Sequence, residues 1–358
     1  MYAKPSSRTL PENRKRITKG VVGRIGYPEI RVTFGCMQVT EHGLRSSDLD
    51  VVIRPGEGGR VASLRCRSTG LEFLTQSAPT KIPLEPGLHV RFQDGPAAGI
   101  EECLPTVGPC GNETVGGAVP DHGDFWQLAW TVISSTDAEL CVEAEGFSRP
   151  LRFRKDFSLA GSTLSIRYKV TNLEASELSI LYACHPLFAI EEGDRICLPD
   201  EVSRVLLDYS RGERIGTKGT CVPWPVVAPG VALDEAMAYD TGFAEMLYTD
   251  RLTEGSCGIY RSSQRQGLAV RFNPAELPNL GIWLCYGGWP EDTERSRQYA
   301  VALEPTSAPM NTLKEAQRTG RAKSLGPAEC ATWSIAFEVS EPQCSLDQFR
   351  SWMLRTTQ

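Results

Sequence analysis

Apolar and polar residues alternate with a period of two along much of the chain, most clearly over Leu164–Val170 and Trp333–Val339. Because successive side chains of a β-strand point to opposite faces, this alternation predicts strands with one buried face. Shorter runs between Gly, Pro and Asp turn residues predict further strands. These are Ile30–Phe34, Asp50–Ile53, Val61–Leu64, His89–Phe92, Leu128–Ile133, Leu151–Phe153, Leu178–Ala183, Leu268–Phe272, Leu280–Tyr286 and Tyr299–Leu303.

Helix signals are few. Thr312-Leu-Lys-Glu315 and Ser345-Leu-Asp-Gln348 each have the spacing of a capping box and predict a short helix. Many strands, few helices and no flexible linker favour an all-β fold, one large antiparallel β-sandwich. We assign residues 19–358 to this single domain and residues 1–18, rich in Lys, Arg, Pro and Ser, to a flexible N-terminal arm.

Composition narrows the class of protein. The 358 residues are 41% hydrophobic and carry a net charge of −6 without a long basic run, which argues against a nucleic-acid partner. No stretch of 18 apolar residues and no export signal is found, so we expect a cytoplasmic protein without a membrane partner. The twelve cysteines have no metal-site spacing and fit buried free thiols, with a disulfide framework as the alternative.

Two ionisable residues directly precede a proline at the predicted end of a strand. His185 follows the run Leu178–Ala183 and precedes Pro186, and Glu304 follows Tyr299–Leu303 and precedes Pro305. Proline has no N–H and restricts the residue before it, so both side chains would be held on stiff backbone at a sheet rim. A carboxylate and an imidazole fixed in this way form a possible base and acid pair. Alternatively, His185 bonds a loop carbonyl and Glu304 is simply solvated.

Tryptophans lie close to these candidates along the predicted rim. Trp283, the turn Gly287-Gly-Trp289-Pro290 and the pair Phe125-Trp126 offer flat aromatic faces. Sugars place apolar C–H faces on such rings while their hydroxyls meet carboxylates, amides and imidazoles. The alternative is that these tryptophans belong to the core of the sandwich.

An ordered set of short motifs resembles the aldose 1-epimerase (galactose mutarotase-like) family. The similarity runs from about residue 20 to about residue 340. Its pieces are Glu101-Glu-Cys-Leu-Pro-Thr106, Pro120-Asp-His-Gly123, His185-Pro-Leu-Phe188, Leu280-Gly-Ile-Trp283 with Gly287-Gly-Trp-Pro290, and Leu303-Glu-Pro-Thr306. The resemblance implies a β-supersandwich with one sugar cleft, in agreement with the strand pattern.

The resemblance also implies a mechanism: interconversion of sugar anomers by ring opening and reclosure. Glu304 would be the general base at the anomeric hydroxyl, His185 the general acid at the ring oxygen, and His122 would orient the sugar. The family's reaction implies no cofactor and no metal. We expect Asp121 and the tryptophans Trp126, Trp283 and Trp289 to bind the sugar. Asp240, with Asp250 as the other candidate, would be the family's sugar-binding aspartate.

Other functions compete with the mutarotase. The chain has Cys184 where the family has Asn before the acid histidine, so a sugar-binding protein without turnover is one alternative. A polysaccharide lyase would need an export signal and a helical domain. A sugar-phosphate epimerase would need clustered cations at the cleft, for which Arg60, Arg65 and Arg67 are candidates. We expect a small sugar as the partner and a monomer or homodimer.

Overall fold

The computed structural model describes residues 41–77, 85–292 and 296–355, which form 22 strands, two α-helices and four short 3-10 turns. The strands are β1 (His42–Arg45), β2 (Leu49–Arg54), β3 (Arg60–Cys66), β4 (Gly99–Cys103), β5 (Thr131–Ser135), β6 (Glu139–Glu145), β7 (Leu151–Ala160), β8 (Thr163–Asn172), β9 (Leu178–Ile180), β10 (Ala183–Phe188), β11 (Arg195–Cys197), β12 (Arg204–Ser210), β13 (Cys221–Pro223), β14 (Val226–Ala228), β15 (Val231–Ala232), β16 (Phe243–Thr249), β17 (Ser256–Arg261), β18 (Gln266–Phe272), β19 (Asn279–Tyr286), β20 (Tyr299–Thr306), β21 (Lys323–Leu325) and β22 (Cys330–Val339). The helices are α1 (Leu313–Arg318) and α2 (Leu346–Met353).

Two large antiparallel sheets make the body of the fold. The ten-stranded sheet has the order β1-β2-β3-β4-β10-β20-β19-β16-β12-β13, and the eight-stranded sheet has the order β11-β17-β18-β22-β8-β7-β6-β5. Their facing sides share one apolar core, to which Ile166 and Ile335 contribute from one sheet and Ile282 and Leu303 from the other. The predicted all-β antiparallel sandwich with a few short helices is confirmed.

The period-two pattern corresponds to a sheet with one face against the core. In β8, Leu164, Ile166, Tyr168 and Val170 are buried while Ser165, Arg167 and Lys169 are exposed. Every residue of β10 is buried, as are all residues of β20 after Tyr299. In these central strands one face meets the core, and the other carries the polar residues of the site.

The structure corrects the prediction that two prolines end their strands. β10 begins at Ala183 and continues through Pro186 to Phe188, and β20 continues through Pro305 to Thr306. Between β10 and β20, Ala183 pairs with Thr306 and Leu187 with Ala302, so the register is the same on both sides of Pro186. A proline removes one ladder donor without changing the extended backbone, which is why the strand survives. His185 and Glu304 therefore lie within central strands.

The structure also tests the two predicted helix caps and the strand predicted at His89–Phe92. Thr312 and Ser345 cap α1 and α2, and Ser345 forms the full capping box with Gln348, as expected. The strand predicted at His89–Phe92 is wrong, because Phe92–Asp94 forms a 3-10 turn closed by Asp94 on the backbone of Arg91. The predicted arm over residues 1–18 and the predicted strand Ile30–Phe34 lie outside the described residues.

Neither of the two described helices combines the length and the apolar character needed to cross a bilayer. All eleven cysteines in the described ranges are free thiols, and eight of them are buried.

Candidate active site

A pocket of about 570 Å³ opens on the outer face of the ten-stranded sheet, where His185 and Glu304 form part of its floor. Side chains from β10, β12, β16, β19 and β20 and from the loops around them line it. The lining residues are Arg91, Phe92, Gln93, Val107, Gly108, Pro109, Asp121, His122, His185, Asp208, Tyr209, Met246, Trp283, Trp289, Pro290, Glu291, Asp292, Gln298, Glu304 and Asn311.

His185 and Glu304 face each other across two hydrogen-bonded strands. The register of β10 and β20 puts them directly opposite, and Nε2 of His185 is 3.7 Å from Oε1 of Glu304. Only 6% of His185 and 2% of Glu304 is exposed. Gly281 pairs with Glu304 on the other side, where a Cβ would come within 3.3 Å of the carboxylate. Glycine there leaves room around the carboxylate.

Burial controls the ionisation of this pair. Desolvation raises the pKa of Glu304 to about 8, and no described residue donates a hydrogen bond that would lower it. Desolvation lowers the pKa of His185 well below its usual value, and the nearby His122 adds to that effect while Asp121 opposes it. At neutral pH these two shifts favour a neutral imidazole and a protonated Glu304 carboxyl, so the pair holds one proton.

His122 lies beside the pair on a tightly held loop. Its Nδ1 is 2.9 Å from Oδ1 of Asp121, whose Oδ2 accepts a 2.8 Å hydrogen bond from the backbone N–H of Phe92. The Phe92 ring stacks on the imidazole at 4.0 Å, and the ring of His185 meets it edge-on at 5.1 Å. These contacts fix the ring and leave Nε2 as its other polar atom.

The backbone of this loop explains the His122-Gly123 sequence. Both residues have positive φ, 57° for His122 and 75° for Gly123. A Cβ on Gly123 would lie 2.0 Å from the carbonyl oxygen of Leu104, so only glycine fits there. His122 adopts a conformation that is unfavourable for a side-chain-bearing residue, and the surrounding loop has to hold it.

The two histidines and Asp121 form one electrostatic group. Burial would raise the pKa of Asp121, but the hydrogen bond and charge of His122 outweigh it, helped by the N–H of Phe92, and the net pKa is lowered. Asp121 is therefore a carboxylate at neutral pH, and it holds a proton on Nδ1 of His122. The Nε2 atom of His122 is left to bond a ligand.

Tryptophans form one wall of the pocket. Trp283 and Trp289 meet edge to face at 6.2 Å and are both only partly buried. Nε1 of Trp283 donates a 2.6 Å hydrogen bond to Oε1 of Gln298, which fixes the plane of the indole. Two such rings offer apolar faces close to fixed polar groups, as sugar rings require.

A buried polar cluster lies beneath the floor of the pocket, in the Glu101-Glu102 motif of β4. The Glu102 carboxylate accepts hydrogen bonds from the hydroxyls of Tyr168 at 2.9 Å and Tyr182 at 2.6 Å and lies 3.7 Å from Nζ of Lys155. Glu101 pairs with His185 in the β4–β10 register. Burial raises the pKa of Glu101 to about 8, against the opposing charge of Arg60. This cluster ties the strand that carries His185 to its neighbours.

The structure brings together six of the eight residues proposed for the site: Glu304, His185, His122, Asp121, Trp283 and Trp289. It does not bring Trp126 to the pocket. That indole is 2% exposed, packs edge-on against Phe92 at 5.3 Å and donates to the backbone oxygen of Asp121, so it supports the loop from behind. Asp240 is exposed in the 3-10 turn Tyr239–Thr241, and Asp250 is exposed and paired with Arg204, so neither lines the pocket.

Several lining residues were missed by sequence reasoning. Asp208 lies on β12, where the alternation of Arg204–Ser210 indicates a strand but does not indicate a site. The carboxylate of Asp208 contacts Nζ of Lys218 at 2.5 Å. Tyr209 follows it and donates a 2.7 Å hydrogen bond to Glu291. Gln298 and Asn311 are isolated amides in loops, and only the folded chain shows that they face the pocket.

Among the described residues, no group of three or more His, Cys, Asp or Glu side chains has an arrangement that could hold a metal ion.

Comparisons with known sequences match little of the chain. No model of a protein family matches the chain. A 77-residue stretch is 34% identical to the uncharacterized protein YphB of Escherichia coli K12, a match over 21% of this chain and 27% of that protein. The chain thus matches only about a quarter of the length of that curated relative.

Solved structures match far more of the chain. The Slr1438 protein of Synechocystis sp. PCC 6803 superposes with a TM-score of 0.63 at 19% identity, over 85% of this chain and 96% of that one. A galactose mutarotase related enzyme of Lactobacillus acidophilus gives a TM-score of 0.60 at 15% identity, over 84% and 98%. A GalM/aldose epimerase homologue of C. elegans gives 0.57 at 10% identity, over 84% and 99%. The chain therefore has the fold of aldose 1-epimerase and galactose mutarotase-like proteins.

Proposed function

We propose that the protein is an aldose 1-epimerase that interconverts the α and β anomers of a free aldose or a related sugar. The observation that carries the proposal is the pair His185 and Glu304, whose Nε2 and Oε1 atoms lie 3.7 Å apart on the floor of a pocket with tryptophan walls. The two oxygens that exchange protons in mutarotation are bonded to the same carbon. A base and an acid this close together can reach both.

The proposed reaction is a pair of proton transfers around one C–O bond. The Glu304 carboxylate takes the proton of the anomeric hydroxyl, the electron pair left on that oxygen forms the C1 carbonyl, and the C1–O5 bond breaks. The ring oxygen O5 takes its proton from protonated His185, while Nε2 of His122 bonds the sugar beside it. Rotation about C1–C2 turns the other face of the aldehyde to O5, and the reverse transfers close the ring as the other anomer.

The proposed roles require the proton of the pair to lie on His185 and not on Glu304. The pair holds a single proton on Glu304, whereas the proposed roles need a carboxylate and an imidazolium, the other arrangement of the same proton. A bound sugar favours that arrangement, because its anomeric hydroxyl donates to the carboxylate and its ring oxygen accepts from the imidazolium. The charge state required for catalysis is thus available without gain or loss of a proton.

The charges of the pocket favour an uncharged sugar. Besides Glu304, the described lining residues include the carboxylates of Asp121, Asp208, Glu291 and Asp292 against one guanidinium, Arg91. The arginines considered for a sugar phosphate lie elsewhere and are paired with acids, Arg60 with Glu57 and Glu101, and Arg65 and Arg67 with Asp50. A phosphate in this pocket would meet more acidic than basic lining residues.

The competing function is sugar binding without turnover. Both functions require the pocket and its tryptophans, but only the enzyme requires an acid and a base at one point. The buried and closely spaced His185 and Glu304 favour the enzyme, because burial of two ionisable groups without a structural hydrogen bond between them is costly. NMR exchange or polarimetry on pure α-anomers of glucose, galactose, mannose and xylose tests this. Sugar binding without faster anomer exchange would support the binding protein.

Asp121→Asn is expected to lower kcat for anomer exchange about tenfold. The amide can still accept from the N–H of Phe92, but it removes the charge that holds the proton on Nδ1 of His122, and a hydrogen bond to a charged group contributes about 1.5–3 kcal/mol. Asp240→Asn, which changes an exposed aspartate outside the pocket, is the matched control. An Asp121→Asn variant as fast as this control would show that Asp121 does not orient His122.

We also propose a cytoplasmic location, which the free thiols support, with a monomer or homodimer as the assembly. Thiol titration in denaturant without reductant is expected to find nearly all twelve cysteines, eleven of which are free in the described ranges. The protein is to be isolated in the presence of a thiol-blocking reagent in one sample and without it in another, so that oxidation after lysis is recognised. Fewer than about ten thiols in the blocked sample would argue for an oxidising compartment.

A further inference from the structure

A second pocket of about 580 Å³ adjoins the first. The two share four lining residues, Gln93, Trp289, Pro290 and Gln298. The other ten lining residues of the second pocket do not line the first, so the second pocket has walls of its own. The two pockets together therefore extend beyond the site at which His185 and Glu304 act.

The second pocket has a different chemical character. Its described lining residues include amides, hydroxyls and small apolar side chains but no carboxylate, whereas the first pocket has five. The polar lining residues are Thr75, Gln76, Gln93, Ser296, Arg297, Gln298 and Tyr299. Amides and hydroxyls beside an indole are the groups that bind the hydroxyls and the apolar face of a neutral sugar.

Trp289 and Gln298 form the junction between the pockets. Trp289 meets Trp283 edge to face at 6.2 Å, and Oε1 of Gln298 accepts the 2.6 Å hydrogen bond from Trp283. The backbone of Gln298 bonds the carbonyl of Trp289 at 2.7 Å, which holds the two residues together. No described residue accepts a hydrogen bond from the side-chain N–H groups of Gln298, so they are available to a ligand that passes from one pocket to the other.

The separation between Glu304 and the junction of the two pockets sets the length of such a ligand. Gln298 directly precedes β20 and lies six residues from Glu304 along an extended chain, a separation of about 20 Å at 3.3–3.4 Å per residue. A single sugar ring at Glu304 cannot reach the far side of the second pocket. A chain of two or three sugar rings can.

We propose that the substrate is a reducing oligosaccharide, whose anomeric residue occupies the first pocket and whose following residues pass Trp289 into the second. The inference rests on the proposed function and names its substrate class. An anionic substituent is a poorer fit for the second pocket. Among the described residues that line the second pocket, Arg297 is the one cationic residue. Nη1 of Arg297 already donates a hydrogen bond to the carbonyl of Gly287.

The test compares anomer exchange for a series of sugars of increasing length. We measure kcat/KM by NMR exchange for glucose, maltose, maltotriose, cellobiose, lactose and glucose 6-phosphate. At least one of the oligosaccharides is expected to exceed glucose at least about fivefold, because each added ring contributes stacking and hydrogen bonds. Equal values for glucose and all the oligosaccharides would overturn the inference and leave the mutarotase intact. A preference for glucose 6-phosphate would also overturn it, in favour of an anion site.

Two variants fill the second pocket without touching the first. Ser296→Trp changes an exposed residue and Ala189→Trp a half-buried one, and neither residue lines the first pocket. Both are expected to remove the advantage of the oligosaccharides while leaving glucose within about twofold of the wild type. Thr332→Trp, on an exposed position of β22 outside both pockets, is the matched control. An advantage that persists in both blocked variants would contradict the inference.

The result also separates the inference from the proposed function. If no sugar is turned over, the proposed function fails, and calorimetry with the same sugars still decides whether the second pocket binds a second ring. Tighter binding of oligosaccharides that is lost in Ser296→Trp and Ala189→Trp would support the inference. Equal affinities for glucose and the oligosaccharides would refute it.

Discussion

Replacing Glu304 with Gln is expected to slow anomer exchange at least about 100-fold while the fold stays intact. The amide has the size of the carboxyl group and can still donate and accept hydrogen bonds, but it cannot take the proton of the anomeric hydroxyl. Glu304 receives no hydrogen bond from a described residue, and its charged form is already disfavoured by burial, so the neutral amide fits the same space. Saturation-transfer NMR at saturating sugar measures the loss in kcat, and a thermal melt checks the fold.

Glu245→Gln is the matched control for this substitution. Glu245 is also buried on a strand of the ten-stranded sheet, but it pairs with Arg214 and does not line the pocket. This variant is expected to melt earlier, since the Arg214 bond is weakened, and to keep kcat within a few-fold of the wild type. Near-normal exchange in Glu304→Gln would remove Glu304 as the base and with it the proposed mechanism.

The sandwich could be predicted because its signal is local. In β8 and β22 the alternation of apolar and polar residues matches the alternation of buried and exposed side chains. Ser345 caps its helix through Gln348, three residues away. The central strands that carry the site could not be read in this way. They are buried on both faces, so β10 and β20 do not alternate, and prolines that end strands elsewhere are accommodated inside them.

The candidate site could be predicted only as far as the sequence motifs went. His185 and Glu304 were proposed from their position before a proline and again from the resemblance, and His122 was given its role by the resemblance. The register of β10 and β20 is what brings His185 and Glu304 together. Asp208 lines the pocket at the point where the β12–β16 register shifts between Leu207 and Tyr209, an irregularity that no local pattern encodes. The two residues that were misplaced show the same limit, because Trp126 and Asp240 have suitable chemistry and only the loop geometry turns them away from the pocket.

The placement of the pair within central strands also matters for its chemistry. A side chain on a central strand is fixed by neighbours on both sides, as His185 is between Glu101 and Glu304 and Glu304 is between His185 and Gly281. General acid–base catalysis requires the proton to be aimed at one atom, and rigid elements hold that aim better than loops. The loop that carries His122 achieves comparable rigidity only through Asp121, Phe92 and a conformation that excludes a side chain at Gly123.

His185→Asn is expected to reduce kcat at least about 100-fold while the affinity for sugar changes only modestly. Asparagine keeps a polar group near the ring oxygen, but it cannot deliver a proton to it, so the interaction lost is mainly one made in the transition state. His89→Asn, an exposed histidine outside the pocket, is the matched control and is expected to behave as the wild type. Calorimetry gives the affinity and NMR exchange gives kcat.

The same pair predicts the pH dependence of the wild type. The reactive form holds one proton on the pair, and kcat/KM follows the fraction of free enzyme in that form. As pH rises through about 8, the last proton leaves Glu304, and the rate falls because no acid remains. As pH falls below the lowered pKa of His185, the pair gains a second proton, and the rate falls because no base remains.

The alkaline limb of the bell-shaped profile therefore belongs to Glu304 and the acid limb to His185, the reverse of the usual order of a carboxylate and an imidazole. A kcat/KM profile with its acid limb near the ordinary pKa of a glutamate and its alkaline limb near that of a histidine would contradict this order and show that Glu304 is ionised in the free enzyme at neutral pH. A wild-type rate in His185→Asn would show that this histidine only completes the strand.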